Sequence, residues 1–95
     1  MRTTRRLVPP AELDLATAEP LLTAVREALD EQPAAIVVDL AGVTFCDSSG
    51  IGALLEARAL AASAGIPLHV IGARTVIRRS LEITGVLGLL TRAAA

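Results

Sequence analysis

Asp47-Ser48-Ser49-Gly50-Ile51-Gly52 is the stretch of this chain with chemistry to offer. An acid, two hydroxyls and two glycines stand directly ahead of a long Ala- and Leu-rich segment. Asp or Ser before an apolar periodic run marks a helix start, because its oxygen accepts from an unpaired N–H of the first turn. A helix N-terminus carries about +0.5 of a unit charge and several free donors, so it tolerates a negative group. Two serines in that place are candidates for receiving a phosphate. The two glycines permit close backbone approach. The other reactive side chains are scattered. A nucleophile elbow needs Gly-x-Ser-x-Gly, yet Ser48 is flanked by Cys46 and Gly50, and Ser49 by Asp47 and Ile51. His69, the one histidine, sits inside the apolar run Leu68-His69-Val70-Ile71 and reads as structural. One His and one Cys supply too few ligands for a metal site. Gly50-Ile51-Gly52 lacks the third glycine of a dinucleotide fingerprint. No cofactor, no metal and no complete catalytic constellation are expected, so the chain reads as a recognition module and not an enzyme.

The elements that must position these residues alternate in type. Ile36-Val37-Val38-Asp39-Leu40 is β-branched and apolar up to Asp39, the pattern of a strand buried on both faces. Before it, Leu21, Leu22, Val25, Ala28 and Leu29 recur at helical spacing, which predicts a helix over 17–29 with Thr17 as N-cap and Pro20 in its first turn. After Ser49 the pattern predicts a helix to about Ala64, with Ile51, Leu54, Leu55, Ala61 and Ala64 inward. Gly65 suits the position after its end, and Pro67 blocks continuation. Leu68–Ile71 is the next strand, and 75–84 a third helix closed by Gly85. Leu87–Thr91 fits either a last strand or a short helix. Residues 1–6, polar, basic and terminal, are expected to form a disordered tail. Pro9 and Pro10 confine any strand near Leu7-Val8 to a sheet edge, with the alternating Glu12-Leu13-Asp14-Leu15 as its end. Strands alternating with helices mean α/β with parallel neighbours at the centre. In such folds functional groups gather where strands end and helices begin, which is where Asp47, Ser48 and Ser49 fall.

Composition narrows the function classes. Ninety-five residues make one domain. Phe45 is the only aromatic residue, so base-stacking platforms are absent. Nine basic residues against ten acidic ones argue against binding a phosphate backbone, so no direct nucleic-acid partner is expected. All nine are Arg, which leaves no lysine for a phosphate loop or a Schiff base. Cys46 is the only cysteine, so no internal disulfide forms and a reducing, cytoplasmic setting is expected. No apolar run reaches the ~18 residues that span a bilayer, so membrane insertion is not expected. Ala93-Ala94-Ala95 is the one low-complexity segment, and no linker suggests a second domain.

Phe45-Cys46-Asp47-Ser48-Ser49-Gly50-Ile51-Gly52, preceded by Val37-Val38-Asp39-Leu40, resembles the signature of STAS domains, most of all the bacterial anti-sigma factor antagonists. Glu12-Leu13-Asp14 followed by Thr17-Ala18 is similar to a second segment of that family, usually written Gly-Glu-Leu-Asp. The order helix, Gly65-Ile66-Pro67, strand, and the closing Thr84-Gly85, also fit its layout. The resemblance spans about Glu12 to Leu90. It implies a single-domain STAS-type α/β fold: a mixed sheet whose parallel central strands pack against helices. It implies that Ser49 is the phosphoacceptor, and that Asp14, Asp47, Ser48, Gly50, Ile51 and Gly52 belong to the partner-binding surface. It implies as partners an anti-sigma factor that is itself a GHKL-type serine kinase, and a phosphatase acting on phospho-Ser49. Unphosphorylated antagonist would hold the anti-sigma factor and free the sigma factor; phosphorylation would release it and so regulate transcription. The alternative within the family is a STAS subunit of a lipid-transport ABC complex or of a stress-signalling scaffold. Two departures stand out: Ala11 replaces the family's usual glycine, and the segment ahead of it is shorter than the family's first hairpin.

Overall fold

The computed structural model describes residues 2–92. Its centre is β3 (Ala35–Asp39), flanked on both sides by parallel partners, β1 (Thr4–Leu7) and β5 (Leu68–Ile71). The register sets Leu7, Val38 and Val70 abreast, and likewise Ile36 and Leu68. Side chains alternate across a strand, so Ile36, Val38, Leu68 and Val70 enter one buried core. A second, two-stranded parallel pair joins β2 (Glu12–Leu13) to β4 (Phe45–Cys46). All described pairings are parallel; the antiparallel strand that a mixed sheet requires is not among them.

Four helices complete the fold: α1 (Leu15–Asp30), α2 (Ser48–Ser63), α3 (Thr75–Ile83) and α4 (Leu87–Thr91). The last resolves the ambiguity over 87–91 in favour of a helix, and Leu90 buries into the core. Helices α1 and α2 pack against each other. The first contributes Leu21, Leu22, Val25 and Ala28, as its apolar spacing predicts. The second buries Gly50, Ala53, Leu54, Ala57 and Ala61, mostly small residues that let a neighbouring element approach closely. Ala64, expected inward, is exposed, because α2 has already ended at Ser63. Gly65 leaves the helix at φ 73°, a conformation that costs glycine little.

Three expectations near the N-terminus are corrected. Residues 2–6 are not a disordered tail. Thr4–Leu7 pair with β3, the Arg6 guanidinium engages the Asp39 carboxylate, and Arg2 donates to the Gln32 and Pro33 carbonyls at 3.0 and 2.9 Å. An edge strand needs only backbone pairing and a few anchored side chains, so its polar sequence hid it. Met1 and the run Ala93–Ala95 lie outside the described residues. Next, Glu12-Leu13 does not end the edge strand; it forms β2 and pairs with β4 instead. Finally, the N-cap of α1 is Asp14 and not Thr17. That places Pro20 beyond the first turn, where its missing N–H leaves the Ala16 carbonyl without its helical donor. Both residues are on the exposed side, so water can serve that carbonyl.

Candidate functional site

The β2–β4 pair sets the geometry of the site. Leu13 lies opposite Cys46, and the Asp47 N–H donates to the Leu13 carbonyl at 3.1 Å. One residue further on, each strand ends in an aspartate that caps a helix: Asp14 for α1 and Asp47 for α2. Two helix N-termini therefore open side by side, each with its positive end and unpaired N–H groups at the same edge of the molecule.

The caps differ in completeness. Asp14 forms a capping box: its Oδ1 accepts from the Ala16 and Thr17 N–H groups at 3.0 and 3.2 Å, while its own N–H donates to Thr17 Oγ1 at 2.9 Å. Asp47 Oδ1 accepts from the Gly50 N–H alone, at 3.1 Å. Ser48 and Ser49 thus occupy the first two helical positions of α2, and neither is the cap. No hydrogen bond among the described residues engages either serine hydroxyl. Ser48 is exposed and Ser49 half-buried at the rim. Ser49 thus keeps part of its surface open at this rim, beside the unpaired N–H groups of the first turn of α2.

Gly50 is what lets α2 start here. A Cβ on it would lie 2.5 Å from the Leu13 carbonyl oxygen, and 2.8 Å from both Cys46 Sγ and Leu13 Cβ. The helix rests directly on the β2–β4 pair. Gly52 faces open space, and Ile51 is half-buried, so the predicted members of the site divide into a packing residue and surface residues. Cys46 is half-buried beneath them, and burial first, then the Asp47 carboxylate, push its thiol up from 9.0 to about 11. It is no nucleophile at neutral pH. Asp39 lies elsewhere, at the end of β3. The Ala41 N–H and the Arg6 guanidinium hold its carboxyl below the usual range, a structural role.

The structure thus brings Asp14, Asp47, Ser48, Ser49, Gly50, Ile51 and Gly52 into one neighbourhood. It adds two residues that sequence reasoning missed: Leu15, the first residue of α1, and Phe45 on β4, both large, apolar and exposed. Neither lies on a periodic apolar stripe, since Leu15 directly follows the Asp14 cap and Phe45 belongs to a two-residue strand, so no hydrophobic period singles them out. His69 remains apart on β5 with its Nδ1 buried and unpartnered among the described residues. A concavity of about 460 Å³ between Val43-Thr44 and the start of α3 contains none of the predicted site residues. Among the described residues no group of His, Cys, Asp and Glu could hold a metal ion, and no helix is long and apolar enough to cross a membrane.

Residues 10–91 match the model of a protein family described as Mlab, STAS domain. The chain belongs to the STAS family. Among solved structures, this STAS domain is similar to the anti-sigma factor antagonist SpoIIAA in its unphosphorylated form, with TM-score 0.78 and 21% identity over 100% of this chain and 83% of that one. It is similar to SpoIIAA, described as a Bacillus cell fate determinant, in its phosphorylated form, with TM-score 0.70 and 21% identity over 100% and 86% of the two chains. It is also similar to part of the murine anion transporter Slc26a9, with TM-score 0.75 and 17% identity over 93% of this chain but 15% of that one. At these identities the likeness is one of fold. No curated protein matches the chain.

Proposed function

We propose that this STAS domain is an anti-sigma factor antagonist that docks an anti-sigma factor serine kinase through the Asp14–Asp47 edge and is released when Ser49 is phosphorylated. One observation carries the reading: a half-buried serine with an unengaged hydroxyl at the second position of α2, at the edge where the caps of α1 and α2 follow paired strands. The solved SpoIIAA forms support it, since a protein of this fold exists both unphosphorylated and phosphorylated.

The physics of the switch is local. A phosphate on Ser49 adds about −1.5 to −2 charges and new acceptor oxygens. Within the domain the free N–H groups of Ser48 and Ser49 and the helix dipole receive it, so the fold persists. The docked partner is in a different position. To transfer a phosphoryl group, a kinase must hold its nucleotide's terminal phosphate at about 3–3.5 Å from Ser49 Oγ. After transfer, the phosphoserine faces the remaining nucleotide phosphates across a dry interface, with Asp47 alongside. Like charges so placed cost several kcal/mol, and each ~1.4 kcal/mol is tenfold in affinity. A phosphatase acting on phospho-Ser49 would reset the switch, and no nucleic acid need touch the domain.

The test is a pair of variants. Ser49→Ala is expected to bind the kinase constitutively and to resist phosphorylation; Ser49→Asp is expected to bind about tenfold or more weakly. Both should keep the wild-type circular dichroism spectrum. Equal binding by the two variants would refute the switch.

A second reading has its own support. The family description carries the name Mlab, and part of an anion transporter shares the fold. On that reading the same edge docks a transport ATPase, such as that of a lipid-transport ABC complex, or a stress-signalling scaffold, with no phosphorylation. Copurification with a transport ATPase, and no phosphate on Ser49 by intact-protein mass spectrometry, would favour it.

A further inference from the structure

The edge that carries Ser49 also exposes apolar side chains that the fold does not need. Glu12 and Phe45 are cross-strand neighbours in the β2–β4 pair, and both point outward, while Leu13 is buried and Cys46 half-buried on the other side. Phe45, the only aromatic residue in the chain, is 48% exposed. Leu15, directly after the Asp14 cap, is 80% exposed. Neither position demands an apolar residue: a first-turn helical site and an outward strand site accept polar side chains at no cost to the core. The surrounding carboxylates point the same way. Glu12, Asp14 and Asp47 take part in none of the ion pairs among the described residues, which join Arg5 to Glu31, Arg6 to Asp39, Arg26 to Glu19 and Arg78 to Glu82. Exposed apolar side chains rimmed by polar and charged groups mark an interaction surface, and aromatic residues are enriched in interface cores.

Resting on the switch reading above, we infer that Leu15 and Phe45 are the hydrophobic anchors of the kinase interface, seated in apolar clefts of the partner whose rim presents basic side chains to Glu12, Asp14 and Asp47. The occupant is the kinase that modifies Ser49, because both anchors lie within two residues of the caps that frame that serine. Apolar anchors and acidic rim fix the docking pose, and the nucleotide comes to Ser49 at the centre. Docking and chemistry are then separable: the anchors contribute equally to ground and transition states, and so govern KM and not kcat.

The experiment uses the full chain and the source organism's serine kinase, purified by following transfer of the ATP γ-phosphate to Ser49. Leu15→Ala and Phe45→Thr should each weaken kinase binding in the presence of ADP by about tenfold or more. They should raise KM for Ser49 phosphorylation by a similar factor with kcat unchanged. Val76→Ala and Ile83→Ala remove equally exposed apolar residues from α3, 71% and 78% accessible, and should change neither quantity. Thermal melts confirm that all four variants fold, and Phe45→Leu, which keeps the apolar bulk, should restore much of the affinity. Unchanged KM in both anchor variants overturns the inference, as does an equal loss in the α3 variants. If Ser49→Asp still abolishes binding in that case, the switch reading stands and only the anchors fall. If no kinase acts on Ser49, the switch reading fails and the inference fails with it.

Discussion

Gly50→Ala isolates the contact that positions the site. In an ordinary helix interior this change stabilises by about 1 kcal/mol, because alanine loses less backbone entropy. Here the new methyl group would lie 2.5 Å from the Leu13 carbonyl oxygen and 2.8 Å from Leu13 Cβ and Cys46 Sγ. Two of those three atoms belong to, or sit directly on, the β2 backbone, so no side-chain rotation relieves the clash. The first turn of α2 must lift off the β2–β4 pair, straining the bond from the Asp47 N–H to Leu13 O and the cap from Asp47 to Gly50. Overpacking costs about 1–3 kcal/mol, and a strained hydrogen bond adds about 1. Against the propensity gain, the net destabilisation is about 1–3 kcal/mol, a fall in Tm of roughly 5–15 °C for a domain of this size. Gly52→Ala is the internal control. It lies two residues on in the same helix, and a Cβ added there would meet nothing within 4 Å. It should gain about 0.5–1 kcal/mol. Urea denaturation followed by far-ultraviolet circular dichroism measures both. A Gly50→Ala protein as stable as wild type, or moving in the same direction as Gly52→Ala, would show that α2 does not rest on β2.

Other outcomes follow from the same geometry. Asp14→Ala removes the acceptor for two N–H groups of α1 and should cost about 1 kcal/mol, while Asp14→Asn, an equally good cap, should recover most of it in the same urea assay. The Cys46 thiol should titrate near pH 11 by thiolate absorbance and react slowly with iodoacetamide at neutral pH. Because its pKa is raised in the folded state, the folded protein holds the proton longer than the unfolded one. The stability linked to it is therefore present below the unfolded value of 9.0 and is lost as pH rises towards about 11, and Cys46→Ala should flatten that decline.

Much of this domain was legible locally. The strand β5 coincides with its apolar run, and β3 begins one residue before the predicted start and ends one short of Leu40. Helix α2 begins two residues earlier than predicted, at Ser48, because Asp47 and not a serine is its cap. Capping, turn chemistry and hydrophobic period act over a few residues, so a single chain segment contains the whole signal. The resemblance carried by Phe45–Gly52 with the preceding Val37–Leu40 pointed to the family for the same reason, since these segments lie close together in the chain. The N-cap of α1 was misplaced because Asp14 and Thr17 form one reciprocal box, and either residue alone satisfies the helix-start rule.

What this sequence determined by itself is the run of elements and the hydroxyl at the head of α2. What only the tertiary structure decided is the company that hydroxyl keeps. Two-residue strands such as Glu12–Leu13 and Phe45–Cys46 are too short to leave a period, and β1 is too polar to announce itself. Their partners lie far along the chain, so pairing depends on how α1 and α2 pack above them. Only that pairing sets Asp14 beside Asp47, makes Gly50 indispensable, and leaves Leu15 and Phe45 facing outward at one edge.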